Sequence, residues 1–277
     1  MAESIPSLLK LLDLEPIEVD LFRGPAPETD RQRVFGGQVA AQALVAAGRT
    51  VDPDRQVHSL HAYFLRPGDT ARPILYEVDR SRDGRSFTTR RVVARQHGNP
   101  IFTMSASFQV PESGLEHQVP MPQVPDPDTL SRPEGEDAQA WRAIDLRFAG
   151  RDAWSVDATE ELPPGQWVWF RASAQLPDDP LIHVCVLAYA SDLTLLSSTL
   201  RPHGVSRRAP GLRMASLDHA MWFHRPIKAD QWLLYDQLSP SAAGGRGLAS
   251  GRIYSHDGTL VASVVQEGLI RLRGAPT

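Results

Sequence analysis

A single cysteine, Cys185, serves all 277 residues. One thiol cannot close an internal disulfide, which fits a reducing compartment. Its setting, Leu181-Ile-His-Val-Cys-Val-Leu187, reads as a buried strand in which the thiol is a small packing group. Uninterrupted apolar runs are short. None approaches the roughly 18 to 20 residues that a bilayer-spanning helix needs, so no membrane association is expected. The N-terminal leucines of Ser7–Glu15 are broken by charge every few residues, unlike a secretory signal. They read as a short amphipathic helix ended by Pro16. The C-terminal Gly274-Ala-Pro-Thr277 is not a peroxisomal address, and a cytoplasmic location is expected. Charge of either sign is nearly balanced: 29 basic and 33 acidic residues give a net charge of −4. That balance offers no reason to expect a nucleic-acid partner.

Several catalytic signatures are missing as well. There is no G-x-S-x-G nucleophile elbow and no Walker loop. Gly245-Arg-Gly247-Leu-Ala-Ser250 lacks the third glycine of a dinucleotide fingerprint. The nine histidines show no metal pattern; His219 and His224 lie five apart without a third ligand signature.

What is present is a repeat. Ala62-Tyr-Phe-Leu-Arg66-Pro67 is followed by Leu75-Tyr76, and Met221-Trp-Phe-His-Arg225-Pro226 by Leu234-Tyr235. The mutual spacing is the same in both. Each copy continues into a Gly/Arg turn, Asp83-Gly84-Arg85 or Gly244-Gly-Arg246, and then a strand pattern broken near Gly98 or Gly258. This order predicts an internal duplication. Between the copies, Pro111–Ala140 holds six prolines amid polar residues and reads as a linker. The expected organisation is an N-terminal unit over 1–110, a linker over 111–140 and a C-terminal unit over 141–277.

Each copy offers one helix ahead of its strands. Val34–Gly48 is alanine-rich and apolar on nearly every side, so a buried helix is expected there, closed by Gly48. In the second copy Tyr189–Leu200 takes this part, stopped by Pro202. Ile101, Thr103 and Ser105 alternate with Phe102, Met104 and Ala106, as a strand requires. The expected class is α+β: twice, a curved antiparallel sheet around a long buried helix.

Val34-Phe-Gly-Gly-Gln38, His58–Asp69 and Arg82–Phe87 resemble segments of the type II acyl-CoA thioesterases, the TesB-like group. So do Tyr189-Ala-Ser-Asp192, Asp218–Pro226 and Val265-Gln-Glu-Gly268. The resemblance runs in order from about Ser7 to Arg271. It implies a tandem (double) hotdog fold, hydrolysis of acyl-CoA without metal or organic cofactor, and a homodimer or homotetramer. It also implies a catalytic Asp192 and Gln266, with Ser216 at a hydroxyl position where threonine is expected.

Thioester hydrolysis needs a water, an acceptor to polarise it, and donors where the carbonyl oxygen turns negative. Asp192 would accept the water's proton, and Ser216 and Gln266 would orient the water. Backbone N–H groups near Gly37, at the start of the first buried helix, would receive the oxyanion. His58 is a further candidate for the substrate-binding wall. Without the resemblance, Asp192 reads better as a cap at a helix start, and Ser216 as a buried hydroxyl bonded to backbone. Gln266 is balanced between a structural amide and a site residue, since it shares an apolar face with Ala262 and Val264. His58 and His61 flank Ser59, but neighbours in a strand point to opposite faces, which disfavours a nucleophile–base pair. The basic cluster Arg80, Arg82, Arg85, Arg90 and Arg91 reads as a solvated strand face and turn. Two other functions remain open: a hotdog hydratase or dehydratase, and an acyl-CoA binder without catalysis.

Overall fold

The computed structural model describes residues 4–27, 32–133, 141–150 and 161–273. Ser4 caps α1 (Ile5–Leu12), which buries Ile5, Leu8, Leu11 and Leu12. This helix closes at Asp13, before Pro16, because the chain enters strand β1 (Glu15–Glu18) and then β2 (Leu21–Gly24). Helix α2 (Gly36–Gly48) is followed by β3 (Gln56–Phe64), β4 (Ile74–Asp83), β5 (Phe87–Gln96) and β6 (Asn99–Gln109). Residues 110–126 form neither helix nor strand. Strands β7 (Ile144–Phe148) and β8 (Gly165–Ala172) precede helix α3 (Pro180–Ser191), a 3-10 stretch over Leu196–His203 and β9 (Leu212–Ser216). Then come β10 (Asp218–Phe223), β11 (Leu233–Ala243), β12 (Arg246–Ser255) and β13 (Leu260–Leu272).

All thirteen strands join one antiparallel sheet, ordered β1-β2-β4-β5-β6-β3-β10-β13-β12-β11-β8-β7, with β9 on β13. The order is a near mirror. Reading outward from the central β3–β10 pair, β6, β5 and β4 match β13, β12 and β11. The duplication in the sequence is therefore a duplication of strands, and the Arg-Pro pairs close β3 and β10 in turn. The two Gly/Arg turns join β4 to β5 and β11 to β12, and Gly98 and Gly258 head β6 and β13 with positive φ. This is the tandem hotdog arrangement.

Helices α2 and α3 lie antiparallel inside the sheet, and their side chains merge into one apolar core. A Cβ on Gly37, near the start of α2, would lie 2.5 Å from the Tyr189 carbonyl oxygen near the end of α3. A Cβ on Gly48, at the other end of α2, would lie 2.7 Å from the Leu181 side chain at the start of α3. Small residues thus set how closely the helices approach. The outer face of the C-terminal half is covered too. Trp169, Leu234 and Tyr254 face away from the helices and pack with Trp232 against Met121, Val124 and Leu130. Trp169 Nε1 donates to the Pro125 carbonyl at 3.0 Å.

Four expectations need correction. The second helix starts at Pro180, not Tyr189: Asp179 accepts from the Leu181 N–H at 2.9 Å, and proline occupies the first turn. Cys185 therefore sits inside α3 rather than in a strand, fully buried, and burial pushes its thiol well above the usual range. Pro202 does not stop the segment, which runs on to His203 and ends where Gly204 takes a left-handed conformation, φ 56°. Finally, the 24 residues Pro180–His203 are long and apolar enough to cross a membrane by length and composition. Here 78% of the most apolar part is buried inside the protein, so its apolarity is spent on the core.

Candidate active site

The length of α3 decides where Asp192 lands. Twelve residues from its proline start carry the chain to Ser191, and Asp192 is the C-terminal cap. Because the helices are antiparallel, that end meets the N-terminal turn of α2. Asp192 therefore caps no helix start of its own, as the residues alone suggested, yet it faces the N-terminus of another helix. A Cβ on Gly36 would sit 2.7 Å from Asp192 Oδ2.

Ser216 and Gln266 reach the same point from the sheet. Strand β13 pairs with β9 from Gly268 onward and with β10 up to Val265. Gln266 and Glu267 fall at the step between them. The step is held by the Leu217 N–H donating to the Glu267 carbonyl at 2.9 Å and the Glu267 N–H donating to Asp218 Oδ1 at 2.7 Å. Alternation then turns Gln266 inward, with no exposure. Its Nε2 donates to Asp192 Oδ1 at 2.6 Å and to Ser216 Oγ at 2.9 Å. Ser216 Oγ donates to the same Oδ1 at 3.3 Å. The structure thus brings the three candidates into one hydrogen-bonded group. Gln266 Oε1 is buried and has no protein partner.

Burial dominates the electrostatics. It raises the Asp192 carboxyl to about 6, against the pull of Gln266, the Gly37 N–H, Ser216 and the more distant Arg207 charge. Burial beats the helix N-terminus, the competition that the sequence left undecided. At pH 7 to 8 the group is mostly ionised, yet far more basic than an ordinary aspartate.

A second layer fixes the end of α3. Ser191 Oγ donates to the Ala188 carbonyl at 2.9 Å and lies 2.9 Å from His219 Nε2. With the hydroxyl proton engaged, Nε2 of His219 is the donor of that pair. Burial lowers the His219 pKa to about 4, so the ring is neutral. Tyr235 donates to the Ser191 carbonyl at 3.3 Å. Sequence reasoning gave Ser191, His219 and Tyr235 other readings and no part in the site. Their signal was a polar group in an otherwise apolar run, as at Gln266.

Asp192 and Ser216 open onto a cavity of about 530 Å³. Its apolar wall includes Val39, Phe64, Phe102, Trp141, Leu193 and Met214, and Arg33, Arg66 and Arg207 also line it. Gly36 lines the cavity, whereas Gly37, the expected donor position, is buried and does not line it, and its N–H bonds to Asp192. His58 is not brought to the group. Its Nε2 lies 2.8 Å from Ser107 Oγ, and its ring meets Phe87 edge-on. A register shift between Val57 and Ser59 breaks the alternation there. The basic cluster is not uniformly solvated: Arg90 is buried, held by Thr50, the Arg82 carbonyl and Asp83.

The duplication also shows why one half alone carries the group. Placing Arg66-Pro67 on Arg225-Pro226 sets Val57 against Ser216, and placing Gly98 on Gly258 sets Ala106 against Gln266. The residue capping α2 is Arg49, against Asp192. The N-terminal copy has neither carboxylate, hydroxyl nor amide at these places, and Arg49 is tied to the Leu14 carbonyl and Asp13.

Comparison with known proteins agrees along the whole chain. A family model described as acyl-CoA thioesterase matches residues 145–269, and one described as acyl-CoA thioesterase N-terminal domain matches residues 25–109. Acyl-CoA thioesterase 2 of Haemophilus influenzae is 42% identical, over 98% of this chain and 99% of its own. Human acyl-coenzyme A thioesterase 8 is also 42% identical, over 95% of this chain and 88% of its own. The crystal structure of an acyl-CoA thioesterase II, TesB2, from Mycobacterium marinum superposes with a TM-score of 0.85 at 50% identity, covering 97% of this chain and all of that one. With both halves matched in order and relatives above 40% identity over nearly its full length, this chain belongs to the type II acyl-CoA thioesterase family.

Proposed function

We propose that this protein hydrolyses fatty acyl-CoA in the cavity beside α2, with Asp192 taking a proton from the attacking water and Ser216 and Gln266 orienting it. The observation that carries this reading is the shared Asp192 Oδ1. Two side-chain donors converge on one oxygen, and Oδ2 lies toward Gly36, which lines the cavity. Gln266 Oε1, buried without a protein partner, offers an acceptor for a water proton. The thioester carbonyl lies against the first turn of α2, whose N–H groups have no acceptor within the helix. Water oxygen bonds to the carbonyl carbon as its proton passes to Asp192. The C–S bond then breaks, and Asp192 returns the proton to the leaving thiolate. The apolar wall takes the acyl chain.

Release of CoA thiol from a chain-length series of acyl-CoAs, followed against pH, tests this. The base must be ionised, so kcat/KM should be level above pH 7 and fall below about 6, by roughly tenfold per unit. A profile flat down to pH 4.5 would remove Asp192 as the base. Binding without thiol release would leave the non-catalytic reading, and enoyl-CoA hydration without thiol release the hydratase one. Among the described residues the cavity wall holds no histidine, which leaves the hydratase reading without an Asp/His pair.

Ser216→Thr should keep or raise turnover. Threonine retains the oxygen, and its branched Cβ narrows χ1, fixing the hydroxyl that bonds Asp192 and Gln266. A loss of about a hundredfold or more, the scale of an acid–base contribution, would show that the hydroxyl works in another orientation.

A further inference from the structure

The cavity wall is lopsided in charge. Asp192 is its one carboxylate among the described residues, and it is half-buried; Arg33 and Arg66 are exposed at the wall, and Arg207 is half-buried. No carboxylate among the described residues lies within 4 Å of the guanidinium of Arg33 or Arg66. The duplication supplies a control. Arg66 and Arg225 are equivalent, and each ties its strand end to a backbone carbonyl: Arg66 Nη1 to Pro100 at 2.7 Å, Arg225 Nη1 to Leu260 at 3.0 Å. In the C-terminal copy the guanidinium also meets Glu116, at 3.7 Å. In the N-terminal copy Arg66 lines the cavity and meets no carboxylate among the described residues. The structural job is common to both copies; the unneutralised charge beside the cavity belongs to one.

We propose that Arg33 and Arg66, together with Arg207, receive the phosphate groups of the CoA moiety, so that this wall selects CoA thioesters over phosphate-free ones. This rests on the acyl-CoA reading above. The chemistry suits it: the planar guanidinium fork matches two phosphate oxygens, and such charge-assisted bonds are the strong ones. Arg66 keeps donors in hand after its bond to Pro100. Nearby Asp69 does not compete, since its carboxylate is bonded to His97 at 2.9 Å and to the Ala71 N–H at 2.9 Å.

The test compares three thioesters of one acyl chain: acyl-CoA, acyl-dephospho-CoA and acyl-pantetheine, the last without any phosphate. In Arg33→Gln with Arg66→Gln, KM for acyl-CoA should rise at least tenfold, with KM for acyl-pantetheine within about twofold of the parent. Arg66→Lys should restore part of the loss. Added salt should raise the parent's KM for acyl-CoA and move the double variant's less. A smaller rise with acyl-dephospho-CoA would place an arginine on the 3′-phosphate; an equal rise would place the pair on the diphosphate. An equal KM rise on acyl-CoA and acyl-pantetheine would overturn the proposal, since the change would then be structural. So would an unmoved KM on acyl-CoA. Failure of the parent to release thiol from acyl-CoA would instead strike at the reading beneath it.

Discussion

Asp192→Asn should give a folded protein whose thiol release is between about a hundredfold and ten-thousandfold slower than the parent's. Asparagine keeps the shape and an acceptor oxygen, so the Gln266 and Ser216 donors retain a partner. What it removes is the capacity to take a proton. The residual rate should also lose its acid limb, because that limb is assigned to the missing group. Stability should move the other way. In the native protein the carboxyl titrates at about 6, above its ordinary value, because burial disfavours the charged form. Between that ordinary value and about 6 the native state holds more protons than the unfolded chain. The group therefore weakens the fold as pH rises through that window, and the loss stays constant above it. Replacing the carboxylate by a neutral amide removes this cost, so at pH 8 the Tm of Asp192→Asn should equal or exceed the parent's. Turnover near the parent's rate, with the fold intact, would take Asp192 out of the chemistry.

The two parts of this molecule were unequally legible in its sequence. The repeated strands could be read because their signals are local: Arg-Pro at a strand end, Leu-Tyr at the next strand's start, and glycine turns at fixed offsets. The first helix was equally plain, alanine-rich between glycines. The second was misplaced because its apolar run continues beyond the helix into the 3-10 stretch, while the start signal Asp179-Pro180 was passed over. That slip mattered for the site. With the helix begun at Tyr189, Asp192 looked like a cap at its start; with the helix begun at Pro180, it stands at the far end. Asp192, Ser216 and Gln266 entered through family resemblance, since their meeting depends on contacts 24 to 74 residues apart in the chain. No local pattern encodes the step where β13 changes partner from β10 to β9. His58 failed for the opposite reason. Strict alternation was assumed, and the register shift beside it broke the rule.

Gly37→Ala should be the most damaging single methyl in this fold. An ideal Cβ there lies 2.5 Å from the Tyr189 carbonyl oxygen and 2.5 Å from Phe35 Cε1. The Phe35 ring can turn aside. The carbonyl cannot, because it is backbone of α3 and moves only with its helix. Relief requires α2 and α3 to part, and α2 is buried from Gly37 to Ala47 and α3 from Cys185 to Ser191. Overpacking of this kind costs about 1 to 3 kcal/mol, which in a domain of this size lowers Tm by roughly 2 to 10 °C. Activity should fall further than stability does. Tyr189 precedes Asp192 by three residues, and the Gly37 N–H is one of the groups that hold the carboxylate. Shifting that end of α3 pulls Asp192 away from Ser216 and Gln266. Gly36→Ala separates the two effects. Its Cβ would meet Asp192 Oδ2 at 2.7 Å and the Phe64 ring at 2.9 Å, both side-chain ends that can yield. The Gly36 variant should keep a Tm close to the parent's and lose at least about tenfold in turnover, because the methyl occupies the space between the carboxylate and the cavity. Parent-like Tm and turnover in Gly37→Ala would mean that the helices do not meet as described, and the placement of Asp192 would fall with them.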